Sequence, residues 1–227
     1  GIFGCGQIGS ASDEHFQADD VRVLSHGRAC EMRGDLQLVG VCDRDLERAQ
    51  AAAAARGLSA ACATRDPGVL LAQGLDVAVI AASTAVHVEL LRACLAAGVG
   101  LILCEKPVGT SARGLAELAQ EADERGARVV VNYLRRFLEP IADAVQWVRA
   151  GGLGRVQHGV VRYPKGLLNC GSHGIDLLDW MFGAPESVRF DGVVEDGRIE
   201  DPTLDATLRY AEGFEVRLQG VDHREYT

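Results

Sequence analysis

The chain has 227 residues, 48% of them apolar and 24% charged, and a formal net charge of −9. That length supports one large domain or two modest ones with hydrophobic cores, and the apolar fraction excludes a disordered chain. The acidic balance argues against a general nucleic-acid binder or a protein held on anionic membrane, since Arg135-Arg136 is the densest basic point.

A glycine-rich turn, Gly4-Cys5-Gly6-Gln7-Ile8-Gly9, stands almost at the first residue, preceded only by Gly1-Ile2-Phe3. Residues 10–33 then exceed what a helix after such a turn needs, and Ala18-Asp19-Asp20 suggests a loop or a broken helix. Residues 36–42 read as a strand ending at Asp43, followed by a helix over 46–56 that Gly57 closes. Residues 76–81 form a near-continuous apolar strand, as expected of a sheet covered on both faces. A helix over 86–97 stops at Gly98, and residues 99–104 make the next strand. Ser111 caps a helix that runs to Arg125 before Gly126, and 127–131 is one more strand. This alternation predicts an α/β fold, a doubly wound parallel sheet of Rossmann type over residues 1–131.

Beyond residue 131 the rhythm changes. A helix over 140–150, a strand over 155–163 and a helix over 172–182 precede strands at 187–194, 203–210 and 214–220. Glu212-Gly213 joins the last two as an antiparallel hairpin. Strands gathered after helices predict a separate α+β domain over residues 132–227. Both ends read as cut, so an incomplete second domain is expected.

The seven cysteines, Cys5, Cys30, Cys42, Cys62, Cys94, Cys104 and Cys170, contain no CxxC pair, and several sit in apolar runs. They read as small buried hydrophobes of a cytoplasmic protein, not as a disulfide framework or a zinc site. No apolar run approaches the ~20 residues that span a bilayer, and no signal peptide is visible.

The chemistry gathers at a few places. Gly4, Gly6 and Gly9 supply a tight turn, a bare backbone for pyrophosphate and close helix–sheet packing, with Gln7 and Ile8 between them. Asp43 is the candidate for the adenosine ribose hydroxyls, although it stands farther from the glycines than the usual ~20 residues. A carboxylate there repels a 2′-phosphate and favours NAD over NADP; Arg44 beside it partly offsets that repulsion. Ser83, Thr84 and His87 would face the nicotinamide half, where Thr84 has an N-cap as its rival role and His87 ordinary helix packing. Glu105-Lys106-Pro107 places a lysine where a buried strand opens into the cofactor crevice. If the helix over 172–182 begins a turn earlier, Asn169, His173 and Asp176 recur at i, i+4 and i+7 on one face. Oxidising an alcohol needs a proton acceptor and a cation to steady the alkoxide, which suits His173, with an ordinary pKa of ~6.5, and Lys106. Arg136 suits a substrate carboxylate or a pair with Glu139, and Tyr133 and Lys165 are further candidates to touch substrate.

Taken with Val41-Cys42-Asp43, Cys104-Glu105-Lys106-Pro107, Asn132-Tyr133-Leu134-Arg135-Arg136-Phe137 and Asn169 to Asp176, the chain resembles the Gfo/Idh/MocA oxidoreductases, the group of glucose–fructose oxidoreductase and inositol dehydrogenase. The resemblance implies a Rossmann domain followed by an α+β domain with a large, mostly antiparallel sheet that commonly mediates homo-oligomers. It implies that Glu105 and Lys106 lie at the cofactor, that Lys106 also contacts substrate, that His173 exchanges the proton and that Asp176 helps hold the substrate. Many members carry aspartate where this chain has Asn169. The activity implied is hydride transfer between NAD(P) and a secondary alcohol or ketone of a sugar, cyclitol or nucleotide sugar, with no metal required. Reduction of another carbonyl or conjugated double bond, and a nonenzymatic NAD(P)-sensing regulator, are the alternatives.

Overall fold

A computed structural model describes residues 1–13 and 21–225, which form two compact units, Gly1–Asn132 and Tyr133–Thr227. Ala18-Asp19-Asp20 lies outside the described residues.

The first unit holds six short parallel strands in the order β3-β2-β1-β4-β5-β6. They are β1 (Ile2–Phe3), β2 (Val41–Cys42), β3 (Ala63–Thr64), β4 (Val77–Ile80), β5 (Leu101–Cys104) and β6 (Arg128–Val131). The connecting helices are α1 (His26–Glu31), α2 (Leu46–Ala55), α3 (Pro67–Leu71), α4 (Thr84–Ala96) and α5 (Ala112–Glu124). Side chains alternate across the sheet, so both faces are buried. Ile2, Val41 and Val79 pack with Ala49, Ala52 and Ala53 of α2 on one face. Phe3, Ala78, Ile80 and Ile102 pack with Leu91, Leu95 and Leu118 of α4 and α5 on the other. Each of the larger buried side chains among these, such as Phe3, Ile80 and Leu91, stabilises the unit by about 1.5–3 kcal/mol. Helix starts follow local chemistry: Asp45 accepts from Glu47 and Arg48 amides, and Ser111 accepts from the Gly114 amide.

The strand expected over 36–42 is only Val41–Cys42. Its neighbours β1 and β3 offer two residues each, Ile2↔Val41 and Phe3↔Cys42 on one side, Val41↔Ala63 and Cys42↔Thr64 on the other. An apolar run without a partner backbone does not form a ladder. β3 and α3 were not separable from loop by periodicity, being two and five residues long.

The second unit contains α6 (Glu139–Arg149), β7 (His158–Tyr163), α7 (Ser172–Phe182), β8 (Ser187–Val194), β9 (Thr203–Arg209) and β10 (Glu215–Gly220). Its sheet has the order β7-β10-β9-β8, antiparallel except where β7 lies parallel to β10. The hairpin from β9 to β10 closes through Gly213 N–H donating to the Tyr210 carbonyl at 3.0 Å. α7 seals one face with Leu178 and Phe182 against Leu208, Tyr210, Phe214, Val216 and Leu218. The Tyr210 and Phe214 rings stack at 4.8 Å, and Phe182 meets Phe214 edge-on at 5.2 Å.

Asp13 and residues 24–25, on either side of residues 14–20, are joined by hydrogen bonds and charge. Asp13 Oδ2 accepts from the Leu24 and Ser25 amides, and Oδ1 accepts from Ser25 Oγ and Arg56 Nη2, each at 2.6 Å. Arg56 also donates to the Ser10 carbonyl at 2.9 Å and to Glu31 at 3.0 Å. Burial alone pushes the Asp13 carboxyl up, but the bonds from Ser25, Leu24 and Arg56 outweigh it and hold it below the usual range.

Removing Arg56 leaves a buried carboxylate underserved, so Arg56→Met is expected to cost about 3 kcal/mol in chemical denaturation. The depressed Asp13 pKa stabilises the fold above the unfolded value near ~4, and that contribution disappears as pH falls through the folded value. Arg56→Met therefore moves the onset of acid unfolding to higher pH; an unchanged acid limb contradicts the role given to this pair.

Candidate functional site

In the first unit the candidate residues cluster at the carboxyl ends of β1, β2, β4 and β5, where open α/β sheets bind ligands. Gly4 has φ +96°, and a Cβ on it would stand 2.5 Å from the carbonyl carbon of Ala81 and the nitrogen of Ala82. A Cβ on Gly9 would overlap the Gly4 carbonyl oxygen. Gly6 differs: nothing lies within 4 Å of the Cβ it lacks. Two glycines thus allow close packing and the third leaves open space above the turn. The turn winds on into a 3-10 segment over Ala11–Asp13, with Gln7 Oε1 accepting from Ser12 Oγ at 3.2 Å and Ile8 half exposed. α1 docks onto it, its His26 and Gly27 amides donating to the Ile8 and Gly9 carbonyls at 2.8 and 2.9 Å.

Asp43 follows β2 and is buried. Its Oδ2 accepts from the Cys5 amide at 2.8 Å and its Oδ1 from the Asp45 amide at 2.9 Å, which clamps the glycine turn to the end of β2. Arg44 is exposed, and with Asp45, Leu46, Glu47 and Arg65 it lines an open depression of about 690 Å³. Ser83 occupies the N-cap position of α4 without a side-chain bond, so Thr84 is the first helical residue and not the cap.

His87, expected at the nicotinamide half, has no exposed surface, and its Nε2 and Nδ1 lie 2.9 Å from the Ala82 and Pro107 carbonyl oxygens. Glu105 commits Oε1 to His26 Nε2 at 2.8 Å and to Asn132 Nδ2 at 2.7 Å. Burial raises the Glu105 carboxyl, but those two bonds outweigh it and keep it below the ordinary range. His26 and Asn132 had no local signal for this job, because the contacts span 79 and 27 residues of chain. Lys106 is half-buried beside them and joins Pro107 by a cis peptide bond. The neighbouring thiols are inert: burial pushes Cys42 to about 11 and Cys104 to about 12, helped by Asp43 and Glu105 respectively.

The second unit brings Tyr133, Arg136, His173 and Asp176 together. Tyr133 meets the His173 ring edge-on at 5.8 Å and 88°. Burial raises the Tyr133 phenol, so it stays neutral at physiological pH. Arg136 pairs with Asp176, not with Glu139: Nε donates to Oδ1 at 2.8 Å, and the guanidinium lies 5.3 Å from the Trp180 ring. Asp176 Oδ2 is buried with no hydrogen-bond partner among the described residues.

A π-helical turn, Leu167–Gly171, precedes α7 and carries Asn169, and the Gly171 amide donates back to the Gly166 carbonyl. Asp201 holds the turn by accepting from the Leu168 and Asn169 amides at 2.8 and 2.9 Å, and Asn169 stays exposed. Lys165 is exposed just before it, with φ 60°. Among the described residues no group of three or more His, Cys, Asp or Glu side chains could hold a metal ion. No helix among them is long and apolar enough to cross a membrane.

Residues 1–133 match a family model described as the oxidoreductase family, NAD-binding Rossmann fold. The chain is 31% identical to a myo-inositol dehydrogenase of Streptomyces leeuwenhoekii, over 98% of this chain and 74% of that one. It is 32% identical to an inositol 2-dehydrogenase of Saccharopolyspora erythraea over 81% of this chain, but spans only 53% of that relative. The WlbA dehydrogenase of Bordetella pertussis, solved with NADH and UDP-GlcNAcA, superposes with a TM-score of 0.81 at 26% identity. That alignment covers 97% of this chain and 71% of the WlbA chain.

The glycine geometry separates two substitutions. Gly9→Ala is expected to lower the melting temperature sharply, because its Cβ meets backbone that cannot move aside, whereas Gly6→Ala melts within about 2 °C of the parent. Equal melting temperatures for the two variants would contradict this packing.

Proposed function

We propose that this chain, which belongs to the Gfo/Idh/MocA oxidoreductase family with its NAD-binding Rossmann fold, oxidises one secondary alcohol of a polyhydroxylated cyclitol or sugar. NAD, not NADP, is the preferred acceptor in this reading. The observation that carries it is Asp176 Oδ2, a buried carboxylate oxygen with no hydrogen-bond partner among the described residues, on the helix that also bears His173. An unsatisfied buried acceptor costs about 1–3 kcal/mol, which the hydroxyl of a polyol relieves. Arg136 fixes the other oxygen, so the vacant acceptor keeps one direction. The naming of two relatives as inositol dehydrogenases and the nucleotide sugar bound to WlbA support the same substrate class.

The first unit is the cofactor domain and the second the substrate domain. The open space at Gly6, between two glycines that admit no side chain, fits a pyrophosphate lying on bare backbone. Ser83 and Thr84 offer hydroxyls at the same sheet edge, and Asp43 with Arg44 receives the adenosine end. Bound there, the dinucleotide supplies the hydride acceptor. Lys106 donates a hydrogen bond to the alcohol oxygen and steadies its negative charge as the C–H bond breaks. His173 takes the hydroxyl proton, and Asp176 accepts from a neighbouring hydroxyl to orient the ring. Tyr133 braces the His173 imidazole through its ring edge. The Asn169 amide hydrogen-bonds without taking a proton at neutral pH, so proton transfer falls to His173. Lys165 is a polar contact for the far side of the substrate.

The same reading makes the protein a cytoplasmic homo-oligomer. All seven cysteines are free thiols, and edge strand β8 leaves Val188, Phe190 and Val193 more than half exposed.

Cofactor reduction with a panel of cyclitols and sugars, run with NAD and NADP in parallel, tests the assignment. Turnover of an inositol-like polyol with kcat/KM at least about tenfold higher for NAD is expected, because Asp43 repels a 2′-phosphate. Equal or better use of NADP overturns the cofactor preference, and no turnover across the panel overturns the substrate class. Lys106→Met is expected to lower kcat more than about hundredfold while NAD binding persists. Near-normal turnover in that folded variant removes Lys106 from the chemistry.

A further inference from the structure

We propose that His87 is a positioning residue for Lys106, an inference that rests on the reading of Lys106 as the group that touches substrate. His87 lies in the first turn of α4 and is fully buried. Its ring lies between two backbone carbonyl oxygens, those of Ala82, in the turn between β4 and α4, and of Pro107, one residue past Lys106; the neutral tautomer with its proton on Nδ1 donates to Pro107. β4 and β5 are adjacent and in register from Val77↔Leu101 to Ile80↔Cys104, so the imidazole bridges the loops that leave neighbouring strands.

Each end of the bridge is anchored for a physical reason. Ala82 is wedged against Gly4, whose missing side chain allows the close approach. Pro107 has no N–H, so its carbonyl is the one backbone hydrogen-bonding group it offers. Residues 105–111 form no helix or strand, and the Glu105 amide donates to the Ile80 carbonyl at 2.8 Å where β5 ends. On the other side, Glu105 is held through His26 and Asn132. Lys106 therefore sits between two braces, one on the side chain before it and one on the carbonyl after it. Misplacing a reacting group by about 1 Å costs on the order of a hundredfold in rate, so a partial loosening is visible in kcat.

The two ring nitrogens separate in two variants of the full chain. An asparagine amide stands near the Nδ1 position and keeps a donor for Pro107, while a glutamine amide stands near Nε2 and keeps one for Ala82. His87→Asn is expected to retain kcat within about threefold, and His87→Gln to lose at least about tenfold, with KM for NAD within about twofold in both. Amide hydrogen exchange over residues 105–111, measured without cofactor or substrate, is expected to speed up in His87→Gln and stay near the parent rate in His87→Asn. Equal turnover and exchange in the two variants, whether both normal or both impaired, overturns the positioning role. So does a His87→Gln segment that loosens while kcat holds at the parent value. The exchange measurement reads the bridge directly, so a failure of Lys106 itself, shown by an active Lys106→Met, is told apart from a failure of His87.

Discussion

The structure of the first unit depends on how closely the end of β1 approaches the turn that follows β4. Gly4 lies against the Ala81–Ala82 backbone and Gly9 against the Gly4 carbonyl, where no side chain can stand. From that contact the rest is placed: Asp43 reaches Cys5, α1 hangs its first amides on Ile8 and Gly9, and Ala82 is held where His87 can grip it. The interior can afford no adjustment there, because backbone meets backbone at van der Waals limits. What stays open is Gly6, so tightly packed backbone borders a backbone with free space above it.

The second unit solves a different problem, keeping polar groups aimed while an apolar sheet supports them. α7 buries Leu178 against the sheet and leaves His173 and Asp176 half-buried on its other side. Arg136 takes one Asp176 oxygen and rests near Trp180, which limits how the carboxylate can turn. A carboxylate held this way presents its second oxygen without a rotamer search, which lowers the entropy cost of ordering a hydroxyl partner.

Long, periodic elements were legible in the sequence. The alternation of strands and helices gave the doubly wound sheet, the β-rich run placed Ser187–Val194, and the Glu212-Gly213 turn placed Thr203–Arg209 and Glu215–Gly220. Two-residue strands were not legible, because β2 and β3 are defined by neighbouring backbone rather than by their own residues. The same holds at the site. Gly4, Gly6 and Gly9 announce themselves by spacing, whereas the pairs Asp13–Arg56, Glu105–His26 and His87–Pro107 span 43, 79 and 20 residues and leave no local pattern. Asn169 illustrates a subtler limit: it lies in a π-helical turn before α7, held by Asp201, which residue spacing does not announce.

The central claim is that the turn from Gly4 to Gly9 receives the pyrophosphate of a nicotinamide dinucleotide. Calorimetric titration of the unmodified chain with NADH, repeated in the presence of ADP-ribose, tests it most directly. The account predicts saturable binding at a single site, displaced by ADP-ribose because both share the adenosine diphosphate moiety that the turn and Asp43 hold. Absence of saturable binding, or binding that ADP-ribose leaves untouched, would contradict it.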